Sequence, residues 1–161
     1  MRTKQNVINL RQQDISEEVM RALREGLGGS LVAAVLFGSR ARGDAGPDSD
    51  WDILVLAEEL PAHPWERHKL LKRLIPAAFR GSVSILAKTP DEFEGHLPAL
   101  YLDIALDGRI LYDPRRYAFH LMEALRHTIE KAGLYRERTA DGDIWQWRNP
   151  PKGSWSVRWE P

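Results

Sequence analysis

Two short apolar runs, joined by a polar connection rich in Gly and Asp, constrain the fold of this chain more than any other feature. The runs cover residues 31–37 and 53–56, and the connection contains Gly38-Ser39, then Asp50-Trp51-Asp52. Apolar runs of this length, bounded by Gly, Pro and Asp, are typical of buried strands. The sequence therefore predicts two buried strands whose ends meet at a polar connection.

Asp50 and Asp52 stand two residues apart at the start of the second predicted strand. Because side chains alternate along a strand, both carboxylates should point to one face, roughly 6 to 7 Å apart along the chain. Two carboxylates at the mouth of a buried strand repel each other unless a cation lies between them. Mg²⁺ is usually held by a few carboxylates together with substrate phosphates. We therefore predict a metal site at Asp50 and Asp52, with Mg²⁺ as the expected ion and Mn²⁺ as the alternative.

A phosphate site is predicted beside this metal site. Gly38 lets the backbone come close to a ligand, and Ser39 offers a hydroxyl and an N–H at the start of a short helix, where N–H groups favour anions. Arg40 and Arg42 follow in the sequence, and one of them could face a triphosphate. The alternative is that each arginine only balances the charge of the acidic connection.

The spacing of these motifs resembles a known signature. Gly38-Ser39, ten residues and then Asp50-x-Asp52 resembles the G-S-x10-D-x-D pattern of the nucleotidyltransferase superfamily, over roughly residues 14–113. Ala41-Arg42-Gly43 resembles its minimal, stand-alone branch, which includes the antitoxins paired with HEPN-domain toxins. The resemblance implies a small mixed β-sheet with flanking helices, in the α/β class with the polymerase-beta-like fold, and ATP as substrate. It further implies nucleotide binding by Gly38, Ser39, Arg40 and Arg42, and catalysis and metal binding by Asp50 and Asp52.

One position departs from the family pattern. Enzymes of this superfamily generally use a third carboxylate, from the next, antiparallel strand of the sheet. The third strand predicted here, residues 82–87, carries Ser84 where the family has Asp. A serine hydroxyl is neutral and cannot act as a base near pH 7. Three explanations stay open: a shifted alignment, substitution by another acid near the end of this strand (Asp91, Glu92 or Glu94), or chemistry that is slow or lost.

The composition excludes several classes of function. Lys and Arg together number 23, as do Asp and Glu, and this balance argues against general binding to nucleic acids or to acidic membranes. No apolar stretch has the length of a membrane span, and the polar N-terminus lacks a signal peptide's apolar region. Because the chain has no Cys, disulfides and thiolate metal sites are impossible. These features predict a cytoplasmic protein.

The remaining patterns predict three segments. Residues 1–113 form the nucleotidyltransferase core, 114–137 a C-terminal helix that packs on the core or a partner, and 138–161 a tail that contains four Trp. Large aromatic side chains are favoured at interfaces, so helix and tail could mediate a homodimer. The predicted elements are an extended or frayed segment at 1–13, helices at 14–27, 63–75, 97–106 and 113–132, a helix cap at Thr89, an edge strand at 109–112 and a hairpin at 149–154.

The leading hypothesis is a Mg²⁺-dependent nucleotidyltransferase that moves AMP from ATP to a hydroxyl on a partner. By resemblance this partner is a HEPN-type toxin, which makes the chain an antitoxin. The main alternative is a catalytically impaired nucleotidyltransferase fold that neutralises its partner by contact, which the Ser84 departure favours. The third is a small-molecule, aminoglycoside-type nucleotidyltransferase, although only about 50 residues remain beyond the core for a substrate domain.

Overall fold

The computed structural model describes residues 4–140, 142–152, 157 and 159, with side chains from residue 15 onward. Four strands form one sheet, and two more form a separate C-terminal hairpin. The predicted mixed α/β class is therefore confirmed. The described elements are helices α1 (Lys4–Leu27), α2 (Gly38–Arg42), α3 (Pro64–Leu74), α4 (Pro90–Glu94), α5 (Ala99–Asp107) and α6 (Tyr117–Ala132), and strands β1 (Leu31–Phe37), β2 (Trp51–Ala57), β3 (Val83–Lys88), β4 (Arg109–Tyr112), β5 (Leu134–Thr139) and β6 (Gly142–Trp147).

The sheet has the strand order β3-β2-β1-β4. The two apolar runs become its central strands, with β1 antiparallel to both β2 and β4. In contrast, β3 runs parallel to β2, so the expectation of an antiparallel third strand is wrong. The reason is that α3 lies between β2 and β3 in the chain, and a helical crossover of this kind brings the next strand in parallel.

Helices cover both faces of the sheet. On one face, α1 and α3 bury Val19, Leu23 and Leu71 against alternate residues of β1 and β2. On the other face, α4, α5 and α6 bury a second cluster that includes Phe93 and Leu125. The central strands are buried on both sides, which explains why they are continuous apolar runs rather than alternating patterns.

Helix α1 starts ten residues before the predicted start. It begins at Lys4, whereas the Asp14 and Glu17 pair predicts a start at Asp14 and an extended or frayed segment before it. Residues 4–25 contain neither Gly nor Pro, so nothing in the sequence ends the helix at Asp14. Residues 1–3 lie outside the described residues.

Helical spacing in the sequence predicts that Trp65, Leu71 and Ile75 face inward from helix α3, and the structure confirms this for two of the three. Leu71 and Ile75 are buried, but Trp65 is 66% exposed and stacks on His68. The expectation that Trp65 faces inward is wrong, because six residues of helix place it about 120° around the axis from Leu71.

The chain after β4 differs most from the prediction. Helix α6 begins at Tyr117 and not at Asp113 as predicted. Arg116 has a left-handed backbone with φ 58°, and a right-handed helix cannot continue through this conformation. Residues 134–137 belong to β5, within a hairpin whose last register pair is Thr139 with Gly142. Residues 149–152 follow β6 and form no strand, and most of the second arm of the hairpin predicted around 149–154 lies outside the described residues.

Candidate functional site

The turn from β1 into α2 lies directly against β2. Phe37 and Asp52 are partners in the antiparallel register, and Gly38 follows with φ 71°. This left-handed conformation is easy only for glycine. A Cβ at this position would also clash with Oδ2 of Asp52. Two independent constraints, the left-handed backbone and the lack of space for a Cβ, therefore favour glycine at position 38. The backbone of Gly38 lies in contact with the Asp52 carboxylate.

Asp52 shares the polar end of β2 with Asp50. Trp51 and Ile53 are buried in the core on the α1 and α3 side, and Asp52, between them, is half-buried on the opposite face. Burial raises the pKa of Asp52, the charge of Asp50 raises it further, and Arg42 and Arg40 lower it. The Asp50 carboxylate thus lies close enough to destabilise the charge of Asp52.

The two arginines of α2 have different surroundings. Arg40 donates from Nε and Nη2 to the backbone carbonyl of Ser49, at 2.9 and 2.5 Å, and its guanidinium lies 4.7 Å from the ring centroid of Trp51. It therefore fastens the connection between β1 and β2 just before Asp50. Arg42 donates from Nε to Oδ2 of Asp44 at 3.0 Å, a bond that raises the pKa of Arg42 and lowers that of Asp44.

The helix α2 begins at the sequence-predicted position. Phe37 precedes it and supplies no side-chain cap, so the first N–H groups of Gly38 and Ser39 have no intrahelical partner. The carbonyl of Ser39 accepts from the N–H groups of Gly43 and Asp44 and closes the helix. Backbone donors thus lie beside the Asp52 carboxylate.

Ser84, the residue predicted at the third position, lies next to Asp52 in the sheet. It is the register partner of Asp52 in the parallel β2–β3 pair, and it is exposed. The Asp91, Glu92 and Glu94 alternatives follow Lys88, which lies four residues further along β3, about 13 Å from Ser84. The structure therefore does not bring these acids to Asp52.

Two of these acids also have other partners. Both oxygens of Glu92 accept hydrogen bonds from Arg67, at 2.7 and 2.9 Å, and Glu94 accepts from the hydroxyl of Tyr117. Within the described residues, no three His, Cys, Asp or Glu side chains come together as a metal cluster. Of the acids considered for the metal site, Asp50 and Asp52 are thus the two that lie together, at the start of β2.

The sequence analysis missed the contribution of the C-terminal hairpin. Arg136 in β5 binds Asp107 at 2.5 and 3.0 Å and Asp103 at 3.2 Å, which fixes the hairpin to α5. Arg138 lies 3.7 Å from Asp44, just after α2. Asp141-Gly142 between alternating segments is a hairpin signal that could have located the turn, although no local pattern predicts these ion pairs.

Sequence comparison identifies the family. Residues 16–107, more than half of the chain, match the nucleotidyltransferase domain family. This chain belongs to that family. The predicted family is confirmed, and the match includes Gly38, Ser39, Asp50, Asp52 and Ser84.

Individual relatives agree with this family. A Methanocaldococcus jannaschii protein, named as an inferred protein adenylyltransferase, is 29% identical over 122 residues, covering 73% of this chain and 83% of the relative. A chain from the solved structure of a tri-AMPylated Shewanella oneidensis HEPN toxin in complex with an MNT antitoxin has a TM-score of 0.53 and 19% identity, over 74% of this chain and 87% of that one. A chain from a toxin–antitoxin crystal structure with AMP-PNP has a TM-score of 0.52 and 21% identity, over 72% and 90%. These two structures confirm the nucleotidyltransferase fold.

None of the helices in the described part of the chain is long and apolar enough to cross a membrane.

Proposed function

We propose that this nucleotidyltransferase transfers AMP from ATP to a hydroxyl group of a HEPN-type partner protein, with Mg²⁺ held by Asp50 and Asp52, and that it acts as that partner's antitoxin in the cytoplasm. The observation that carries the proposal is the contact between the Gly38 backbone and the Asp52 carboxylate. It sets anion-binding N–H groups beside a metal-binding carboxylate, as a metal-bound triphosphate requires. The relative named for protein adenylylation and the structures of AMPylated HEPN toxin with MNT antitoxin support the acceptor class.

The residues present fit a divalent cation. Asp52 is half-buried, and both burial and Asp50 oppose its charge, so a cation between the two carboxylates would relieve this cost. When bound, Mg²⁺ would withdraw charge from the phosphates during transfer. The protein would supply Asp50 and Asp52 as ligands, with the remaining positions left to phosphate oxygens and water.

The other residues of the site bind and orient the nucleotide. The N–H groups of Gly38 and Ser39 would bind phosphate oxygens at the start of α2. Arg42 would add a positive charge, since its side chain has an exposed carboxylate as partner, whereas Arg40 is held by the Ser49 carbonyl and Trp51. We therefore assign phosphate binding to Arg42 and positioning of the Asp50 connection to Arg40.

In the transfer, the acceptor oxygen forms a bond to the α-phosphorus, the bond from that phosphorus to the bridging oxygen breaks, and pyrophosphate leaves. The acceptor hydroxyl loses its proton. Ser84, beside Asp52 in the sheet, cannot take this proton near pH 7, so the proton passes to water. We therefore expect transfer to be slow.

The test uses intact masses of the acceptor. The chain, Mg²⁺ and ATP are mixed with the protein encoded by the neighbouring gene, and this partner should gain the mass of AMP. The double variant Asp50→Asn/Asp52→Asn should abolish this gain, while Asp48→Asn, which removes a charge from the same connection, should retain it. An unmodified partner in the wild-type reaction, or equal modification by the double variant, would contradict the proposal.

The second candidate function, neutralisation of the partner by contact, is favoured by the neutral Ser84 at the third position. The variant Ser84→Asp separates the two. Because Ser84 is exposed, the variant should fold, and a faster transfer is expected if the third position is catalytic. A stable complex with no AMP on the partner, for both wild type and Ser84→Asp, would favour contact alone.

A further inference from the structure

One carboxylate oxygen lies between two guanidinium groups at the edge of the site. Oδ2 of Asp44 is 3.0 Å from Nε of Arg42 in α2 and 3.7 Å from Nη2 of Arg138 in the C-terminal hairpin. The two arginines are 96 residues apart in the sequence. Asp44 therefore connects the hairpin to the arginine that we assign to phosphate binding.

Arg138 is held near Asp44 by the rest of the hairpin. Its Nε lies 3.4 Å from Asp143, its neighbour across the β5–β6 pair. Arg136, on the same face of β5, is bound to Asp103 and Asp107 in α5. These contacts position Arg138 beside Asp44 without involving Arg42.

Asp44 and a bound triphosphate would both bind the guanidinium of Arg42. Asp44 holds the guanidinium by a charge-assisted hydrogen bond, and its negative charge repels phosphates at the same site. A second cation beside Asp44 weakens both effects, because it offers the carboxylate another partner and neutralises its charge.

We propose that Asp44 competes with the nucleotide for Arg42, and that Arg138 relieves this competition by pairing with Asp44 when Arg42 binds phosphate. The proposal rests on the proposed function, because it deepens the role of Arg42 at that site. It makes the C-terminal hairpin a determinant of nucleotide affinity, with Arg138 as a positioning residue that does not touch the nucleotide.

The two substitutions should change affinity in opposite directions. Asp44→Asn frees Arg42 and should tighten binding of Mg²⁺-ATP, whereas Arg138→Ala leaves Asp44 to Arg42 alone and should weaken it. All three side chains are partly exposed, between 28% and 64%. For solvent-screened ion pairs of this kind, we expect the Kd for Mg²⁺-ATP to change about twofold to fivefold.

The experiment is a titration of the full chain with ATP and Mg²⁺ by calorimetry at low salt. In the double variant Asp44→Asn/Arg138→Ala, the loss caused by Arg138→Ala should disappear, because Asp44 has no charge left to compete. Arg138→Lys should restore part of the affinity. All differences should shrink in about 0.5 M NaCl, since salt screens exposed charges.

The outcomes distinguish this proposal from the proposed function. If the wild type binds Mg²⁺-ATP, Asp52→Asn does not, and Asp44→Asn fails to tighten binding, the competition is refuted while the site stands. A purely structural role of Asp44 gives weaker binding and a lower Tm in Asp44→Asn, which also refutes it. If the wild type does not bind Mg²⁺-ATP, the proposed function itself fails, and the competition fails with it.

Discussion

Replacing Gly38 by Ala tests the contact on which the site depends. The substitution adds one methyl group, which at this position would clash with Oδ2 of Asp52. It also forces an L-residue into a backbone with φ 71°. Gly133 offers a matched control, because its φ is 65° and a Cβ there would meet nothing within 4 Å. Gly133→Ala therefore reproduces the backbone strain without the contact to the carboxylate.

The magnitudes follow from these two geometries. A left-handed conformation costs a residue with a Cβ roughly 1–2 kcal/mol. In a chain of this size, that cost should lower Tm by about 2–8 °C in both variants. Only Gly38→Ala should displace the Asp52 carboxylate. Loss of the contacts that orient a metal ligand typically reduces metal affinity roughly 10- to 100-fold. We therefore expect the affinity for Mg²⁺-ATP to fall by about this factor.

The assay combines thermal unfolding without metal and calorimetric titration with Mg²⁺-ATP. We expect similar Tm values for Gly38→Ala and Gly133→Ala, with the affinity for Mg²⁺-ATP reduced only in Gly38→Ala. Equal, wild-type-like affinities in both variants would show that the Asp52 carboxylate need not lie against Gly38. The metal site would then have to be assigned elsewhere.

Three further predictions concern pH, charge and packing. Arg67 lowers the pKa of Glu92 from 4.5 to about 2; the pair's stabilisation is present above pH 4.5 and lost as the pH falls towards 2, so Glu92→Gln should flatten the decline of Tm in that range. Burial and then Asp50 raise the pKa of Asp52, so the ionised carboxylate destabilises the fold at neutral pH, and Asp52→Asn should raise the metal-free Tm while abolishing Mg²⁺-ATP binding. Leu125 is fully buried, so Leu125→Ala should cost about 2–5 kcal/mol in chemical unfolding, far more than Leu100→Ala at a side chain that is 38% exposed.

The parts of the fold that follow from local signals could be predicted from the sequence. The two apolar runs located β1 at 31–37 and the core of β2, whose predicted range of 50–56 differs by one residue from the observed Trp51–Ala57, and Gly38 located the start of α2. Thr89 caps α4 through a capping box with Glu92, a pattern contained in four residues. Each of these features is determined mainly by residues that are close in the sequence, and contacts with distant residues therefore change it little.

Features that depend on distant residues could not be predicted. The parallel direction of β3 follows from how α3 packs across the sheet, which the strand's own residues do not encode. Arg40 and Arg42 have different partners, the Ser49 carbonyl and the Asp44 carboxylate, and the positions of these partners depend on how the connection folds. The pairing of Asp44 with Arg138 joins residues 94 apart, and composition alone suggests only that both are exposed charges.

The order of the site residues along the chain has a consequence for folding and for evolutionary change. Gly38 and Asp52 meet across an antiparallel pair closed by only 13 intervening residues, so this half of the site can form through local loop closure. Ser84 joins later, through the longer crossover that contains α3. Because Ser84 is exposed, a substitution there leaves the early-forming pair and the core intact. Under the proposed function, a substitution at this one position therefore alters the rate of transfer without loss of the fold.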